Sequence, residues 1–282
     1  MRFDYHMHFE YGDYDLIWAE GFFQAARTHG FDEIGISEHT HTFPEFEQFY
    51  YDELILDDST VGQFQRGWLK TNKFKHTLQD YFDFMARLKK NHAVKVGIEV
   101  CNFQNQSAIK KLLDAWHFDY RIGSVHFLWG WGFDASKLLN EWQNHNLRDI
   151  WEEYTAQVEM LAASGNYDIL GHPFNVRLFR FFPDFDTTPY LERVAIALKK
   201  ADMVVDVNTG TLYRYPVKEI SPYADFMKVA AAYELPIVIT SDAHRPEDCG
   251  KFYEEAVAYV KGFGYNKIAH FDGRRRSLVD LT

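Results

Sequence analysis

The chain predicts a single α/β barrel, parallel strands inside and helices outside, and three observations carry that expectation. Apolar, β-branched runs alternate with helix-period segments along almost the whole sequence, the pattern of parallel strands joined by crossover helices. Seven of those runs end in a histidine, an acidic residue or an asparagine. The 282 residues, 46% hydrophobic and 17% aromatic, suffice for one large core, and no linker divides residues 1–282. An open doubly wound sheet also binds ligands at strand ends, but only a closed barrel gathers seven such ends round one centre.

The first strand is Arg2-Phe3-Asp4-Tyr5-His6-Met7-His8, whose alternation puts His6 and His8 on one side. Leu16 to His29 carries Ala19, Phe22, Phe23 and Ala26 at helical spacing, with Gly30 placed to end it. A short strand from Glu33 to Ser37 closes on Glu38-His39. Residues 40–76 are rich in aromatics and acids with little period, and such a long insertion is expected to be a lid or binding loop. A helix over Leu78 to Lys90 leads to the run Val94-Lys95-Val96-Gly97-Ile98, which closes on Glu99. A helix over about 107–116 precedes Tyr120 to Val125 and then His126. The long helix from about Leu147 ends near Gly165, and Asp168 to Gly171 leads into His172-Pro173. After a helix over about 189–200, Met203 to Val207 closes on Asn208. Tyr223, Phe226, Met227, Ala230 and Tyr233 mark the next helix, and Pro236 to Thr240 ends in Ser241-Asp242-Ala243-His244. A helix over about 252–261 and a short strand at Ser277-Leu278-Val279 finish the chain.

Composition excludes several classes. No run of about 18 apolar residues could span a bilayer, and the N-terminal residues carry no charged-then-apolar export signal. Cys101 and Cys249 make neither a disulfide framework nor a zinc-ribbon pattern, which fits a reducing cytoplasm. A formal charge of -11 disfavours a broad nucleic-acid footprint, although bound cations would still give a local anion site. Nothing in the sequence fixes an oligomeric state.

The chemistry is concentrated in His6, His8, Glu38, His39, Glu99, His126, His172, Asp242 and His244. Singly, each has an ordinary structural explanation; together they share the position just after a strand. Imidazole and carboxylate donors suit zinc, manganese or iron, and there are more of them than one tetrahedral zinc uses, so at least two metals are implied. A carboxylate such as Glu99 can bridge two cations at the separation used in two-metal hydrolysis of phosphate esters.

His-x-His in the first strand, Glu38-His39, Gly97-Ile98-Glu99, Ser124-Val125-His126, Gly171-His172-Pro173 and Ser241-Asp242-Ala243-His244 together resemble the PHP (polymerase and histidinol phosphatase) superfamily. Val207-Asn208-Thr209-Gly210 with Arg214, and the run from Ser241 to Asp248 with Gly250, look most like its histidinol-phosphatase branch. The resemblance implies a distorted seven-stranded barrel of the PHP fold with two or three divalent cations. It assigns His6, His8, Glu99 and Asp242 to one metal, Glu99, His126 and His172 to a second, and His39 and His244 to a third. The family usually supplies another histidine shortly after His-x-His. None stands there in this chain, and Glu10, Asp13 or Asp15 could provide an oxygen instead. Glu38 is expected to be a ligand or to orient an imidazole.

On the substrate side, Arg177 and Arg214 could close on a phosphate. Trp129 and Trp131 could wall an amino-imidazole substrate, although such indoles more often pack against a neighbouring loop. His41, His76 and His145 carry no motif and are read as surface or lid residues. The expected activity is a cytoplasmic, metal-dependent phosphomonoesterase acting on a small phosphate ester, foremost L-histidinol phosphate. Glu99, Asp242 and His244 are its expected catalytic groups, and Asp242, His244 or a metal-bound water could protonate the leaving group. The rivals are a PHP phosphoesterase acting on another small ester, a nucleotide or nucleic acid, and a non-catalytic metal-binding module.

Overall fold

The computed structural model describes residues 1–71 and 73–282. Seven parallel strands follow one another around a single sheet: β1 (Phe3–Asp4), β2 (Glu33–His39), β3 (Val94–Cys101), β4 (Ile122–Ser124), β5 (Ile169–Leu170), β6 (Val204–Asn208) and β7 (Ile237–Thr240). The circle closes where Met7 bridges Ala243 in parallel, His8 N donating to Ala243 O at 2.9 Å and Ala243 N to His6 O at 3.2 Å. The architecture is therefore the expected seven-stranded α/β barrel.

The first strand is shorter than its sequence pattern. The Asp4 carboxylate accepts the backbone N–H groups of His6 and Ser241, so a side chain takes over where a regular ladder would have continued. Residues 5–8 still run between their neighbours, with Ser37 N donating to Met7 O at 2.8 Å.

Helices cover the outside: α1 (Leu16–Thr28), α2 (Glu47–Glu53), α3 (Thr60–Leu69), α4 (Leu78–Leu88), α5 (Gln106–Leu113), α6 (Leu147–Ser164), α7 (Thr188–Ala201), α8 (Gly210–Arg214), α9 (Ala224–Ala232) and α10 (Tyr253–Lys261). Local chemistry sets their ends. Asp15 caps α1, Thr77 and Asp80 form a capping box on α4, and Gly165 ends α6 at φ 67°. Residues 40–76, expected as a loop, instead carry α2 and α3, whose Tyr50, Val61 and Leu69 are buried in the core. The C-terminal strand belongs to a hairpin, Lys267–Asp272 with Arg275–Asp280. Phe271 of that hairpin meets the stacked rings of Tyr5 and Tyr120 at the amino end of the barrel. Aromatic packing thus fills that end, and the carboxyl end carries the polar groups.

Candidate metal centre

Glu99 lies near the end of β3, paired with His39 of β2 and Ile122 of β4, and its carboxylate sits among five imidazoles. Oε1 is 3.0 Å from His172 Nε2, 3.3 Å from His126 Nε2 and 3.4 Å from His6 Nε2. Oε2 is 3.0 Å from His39 Nε2 and 3.8 Å from His8 Nε2. Asp242 Oδ1 lies 3.4 Å from His8 Nε2 and 3.9 Å from His6 Nε2. His6 and His8 are 0% exposed and Glu99 is 1% exposed, so these donors converge out of bulk water.

The environment fits divalent cations. His6 Nε2, both His8 nitrogens, His39 Nδ1, Glu99 Oε2 and His172 Nδ1 are buried without a hydrogen-bond partner among the described residues. Each such atom would cost about 1–3 kcal/mol if left unsatisfied. Three ligand groups, His6–His8–Glu99, His6–His172–Asp242 and Glu99–His126–His172, each bring their donor atoms within 4.8 Å of one another. Burial alone would raise the Glu99 carboxyl, but the His6 and His39 rings beside it hold it well below the usual range. Asp242, raised by burial, is likewise held low by the Arg214 guanidinium and His6. Both carboxylates are thereby kept ionised.

Several positioning groups carried no recognised motif. Asp206 Oδ2 lies 3.0 Å from His6 Nδ1 and accepts the His172 backbone N–H at 3.0 Å. Asp134 Oδ2 lies 2.7 Å from His126 Nδ1. Each carboxylate fixes a tautomer that directs the other ring nitrogen at Glu99. Ser124 Oγ donates to Glu99 Oε1 at 2.6 Å. His172 and Asp242, at φ 27° and 52°, turn into the left-handed region just after their strands, a backbone state that non-glycine residues keep only where their surroundings impose it. His41, read as a surface or lid residue, is buried, with Nε2 2.8 Å from Glu10 Oε2.

The remaining expected positions divide. Glu10 reaches the cluster, with Oε2 3.7 Å from His39 Nδ1 and Oε1 3.8 Å from His244 Nε2. Asp13 lies outside it, paired with Lys75 and His76, and Asp15 is occupied as the α1 cap. Glu38 neither joins a ligand group nor orients an imidazole; its buried carboxyl accepts the Phe9 N–H.

Arg214 stands at the centre, Nη2 donating to Asp242 Oδ2 and Nη1 lying 2.6 Å from His244 Nδ1. Arg177 does not. Its two terminal nitrogens are taken by Asp225 at 3.0 and 2.6 Å, and its guanidinium lies over Trp151 and Tyr223. The indoles also pack elsewhere: Trp129 and Trp131 both stack on His145, in the hairpin loop expected beside the metals. A cavity of about 810 Å³ opens over the imidazoles, with Phe64, Trp68, Phe127, Leu178, Phe179 and Tyr215 in its wall. Two of these, Phe64 and Trp68, come from α3, so the insertion does border the centre.

The model of the PHP domain family matches residues 4–210. A probable histidinol-phosphatase of Deinococcus radiodurans is 33% identical over 185 residues, which cover 64% of this chain and 68% of that protein. A histidinol-phosphatase of Bacillus subtilis is 26% identical over 252 residues, covering 80% and 86%. In fold, the chain is similar to the crystal structure of histidinol phosphate phosphatase from Lactococcus lactis in complex with zinc, L-histidinol and phosphate. The TM-score is 0.70 at 19% identity, with 98% of each chain covered.

Proposed function

The chain belongs to the PHP domain family, and we propose that it is a metal-dependent phosphomonoesterase that hydrolyses L-histidinol phosphate to L-histidinol and phosphate in the cytoplasm. The observation that carries the reading is the Glu99 carboxylate among five imidazoles, three of which, His39, His126 and His172, line a cavity that Arg214 also lines. His6, His8, Glu99 and Asp242 would hold one divalent cation, and Glu99, His126 and His172 a second. Bound there, zinc, manganese or iron would neutralise phosphoryl charge and lower the pKa of water.

The chain's own residues supply the rest. Arg214 offers the guanidinium nearest the ligand cluster and would bind phosphoryl oxygens. The aromatic wall would take the imidazole ring and exclude water from the ester. His244, which lines the same cavity as Arg214, would give a proton from Nε2 to the departing alcohol oxygen, whereas Asp242, held ionised beside Arg214 and His6, has none to give. The partly apolar wall of the cavity and the acidic overall charge favour a small ester over nucleic acid.

Phosphate release from histidinol phosphate, nucleotides and sugar phosphates, measured beside metal content, tests the reading. Turnover selective for histidinol phosphate with at least two cations per chain is expected. Turnover of nucleotides alone would remove the substrate, and fewer than two cations would remove the centre.

A further inference from the structure

His126 reaches Glu99 from the base of a two-stranded hairpin, and that hairpin is too small to hold itself. Phe127–Leu128 pairs with Trp131–Gly132, and the turn between them places Trp129 at φ 51° and Gly130 at φ 79°. A ribbon of this length is marginal on its own. Yet it sets two groups of the centre at once. His126 stands just before its first strand and Asp134 shortly after its second. The pairing thereby brings Asp134 Oδ2 to 2.7 Å from His126 Nδ1 and leaves His126 Nε2 3.3 Å from Glu99 Oε1.

Each edge of the hairpin is taken by one buried side-chain amide. Asn102 directly follows β3, the strand that carries Glu99. Its Oδ1 accepts the His126 N–H at 3.0 Å and the Phe127 N–H at 3.2 Å, and its Nδ2 donates to Phe127 O at 2.7 Å and to Gln157 Oε1 of α6 at 3.0 Å. Gln157 is fixed in turn, its Nε2 donating to Glu153 Oε1 at 2.7 Å and its Oε1 also accepting from Gln104 at 2.9 Å. On the opposite edge, Gln65 of α3 donates to Ile55 O at 2.7 Å and Gly130 O at 3.0 Å and accepts the Gly132 N–H at 2.8 Å. Phe64 and Trp68, on the same helix, belong to the cavity wall. Buried donors and acceptors are costly to leave unmet, so the two amides allow the hairpin one position. His126 is tied to Glu99 through a short run of chain and one side chain.

We propose, resting on the two-cation phosphatase reading above, that Asn102 is the positioning residue that sets His126 against the second cation, and that Gln65 sets the aromatic wall of α3 against the substrate. Both amides support one hairpin, so a purely structural role predicts that losing either has the same effect. Their contacts predict different effects. Asn102 holds the backbone of His126 itself, whereas Gln65 joins the far strand to α3.

Manganese(II) is the probe, added to the full chain after metal is removed by dialysis against chelator. Two manganese ions bridged by one carboxylate couple magnetically, and their paramagnetic resonance spectrum differs from that of an isolated ion. The native chain is expected to show the coupled spectrum at two equivalents. Asn102→Leu, close in size but without the amide, should weaken the second equivalent by about 10–100-fold. It should show isolated manganese at two equivalents, and regain the coupled spectrum and kcat for histidinol phosphate in excess manganese. Gln65→Leu should keep the coupled spectrum and kcat while raising KM by about tenfold, the pattern of lost substrate binding. Circular dichroism melts select variants that fold. If Asn102→Leu does not, Gln157→Leu acts on the same amide from α6 and should weaken the second equivalent in the same direction. Native affinity for the second manganese in whichever of these two folds overturns the role of Asn102. Unchanged KM in Gln65→Leu overturns the role of Gln65, and identical losses in the Asn102 and Gln65 variants overturn both. With coupled manganese and turnover intact in the native chain, each of these results leaves the proposed function standing. A native chain without coupled manganese would remove the two-cation centre and both roles with it. Coupled manganese without turnover of histidinol phosphate would remove the substrate and the role of Gln65, and the spectrum alone would then decide that of Asn102.

Discussion

Arg214 stands between two acceptors, and only one tautomer of its neighbour lets it stay there. His244 Nδ1 is 2.6 Å from Arg214 Nη1 and 3.0 Å from the Asp242 carbonyl oxygen. A guanidinium has only donors, so His244 can accept from it only with the proton on Nε2, which leaves Nε2 no lone pair for a cation. With the proton on Nδ1, the ring donates to the Asp242 carbonyl, Nε2 can ligate, and Arg214 Nη1 is released toward the cavity. Ligation by His244 and presentation of Arg214 to phosphate would therefore be linked. Arg214→Ala is expected to lower kcat/KM for histidinol phosphate by about 100-fold, with Arg214→Lys recovering only part, since an ammonium cannot bridge two oxygens. Because Arg214 also holds Asp242, metal content should fall in the alanine variant, a consequence the sequence motif alone did not carry. Steady-state kinetics with parallel elemental analysis checks both, and unchanged kcat/KM would return Arg214 to a purely structural role.

At the scale of elements, the centre depends on how closely adjacent strand ends approach. A Cβ at Gly171 would lie 2.1 Å from Ser124 Oγ and 2.9 Å from Ile122 Cγ2, so β5 can reach β4 only because that residue is glycine. Ser124 in turn holds Glu99, and His172 follows Gly171 directly. Gly171→Ala should destabilise the fold by about 1–3 kcal/mol through overpacking. Combined with Ser124→Ala, which removes the nearest atom, it should cost less than the sum of the two single changes. Denaturant unfolding of the four species measures the difference, and strict additivity would show that the close approach is not what limits the position. The same elements explain what could be read from sequence. His6, Glu99, His126, His172 and Asp242 each follow an apolar run whose period betrays a strand, so their convergence could be inferred. Asp206 sits inside such a run, between Val205 and Val207, and its polarity in a buried strand was the one available signal. Asp134 lies beyond a two-stranded hairpin, and nothing local indicates that it returns to His126. Arg177 misled because its partner Asp225 is 48 residues away. Helix α2 spans only seven residues and α3 contains Gly62 and Gly67, so neither shows the length or propensity that marks a helix before packing imposes it.

For the whole molecule, the barrel is welded at one end by aromatic rings and at the other by groups that need counter-charge. Asp4, Glu99, Asp206 and Asp242 are all at most 5% exposed, and they meet at the strand ends where β1 and β7 close the circle through a single bridge. Without cations, the buried imidazoles and carboxylates keep only part of their partners; with cations bound as proposed, ligation would tie Glu99 of β3 to the segments following β1, β4, β5 and β7. Binding to the folded chain alone stabilises it by about 2.7 kcal/mol per site at a hundredfold excess over Kd. Two such sites should shift the unfolding midpoint by on the order of 10 °C in a chain of this length. Removal of metal with dipicolinate is therefore expected to lower Tm by that order, and zinc or manganese to restore it. Glu99→Gln keeps the shape of the side chain while weakening the shared ligand, and its Tm should respond little to chelator. Differential scanning calorimetry of both proteins decides the point: an equal chelator effect in the variant, or none in the native chain, would mean that the strand ends are held by their hydrogen bonds and not by the cations they face.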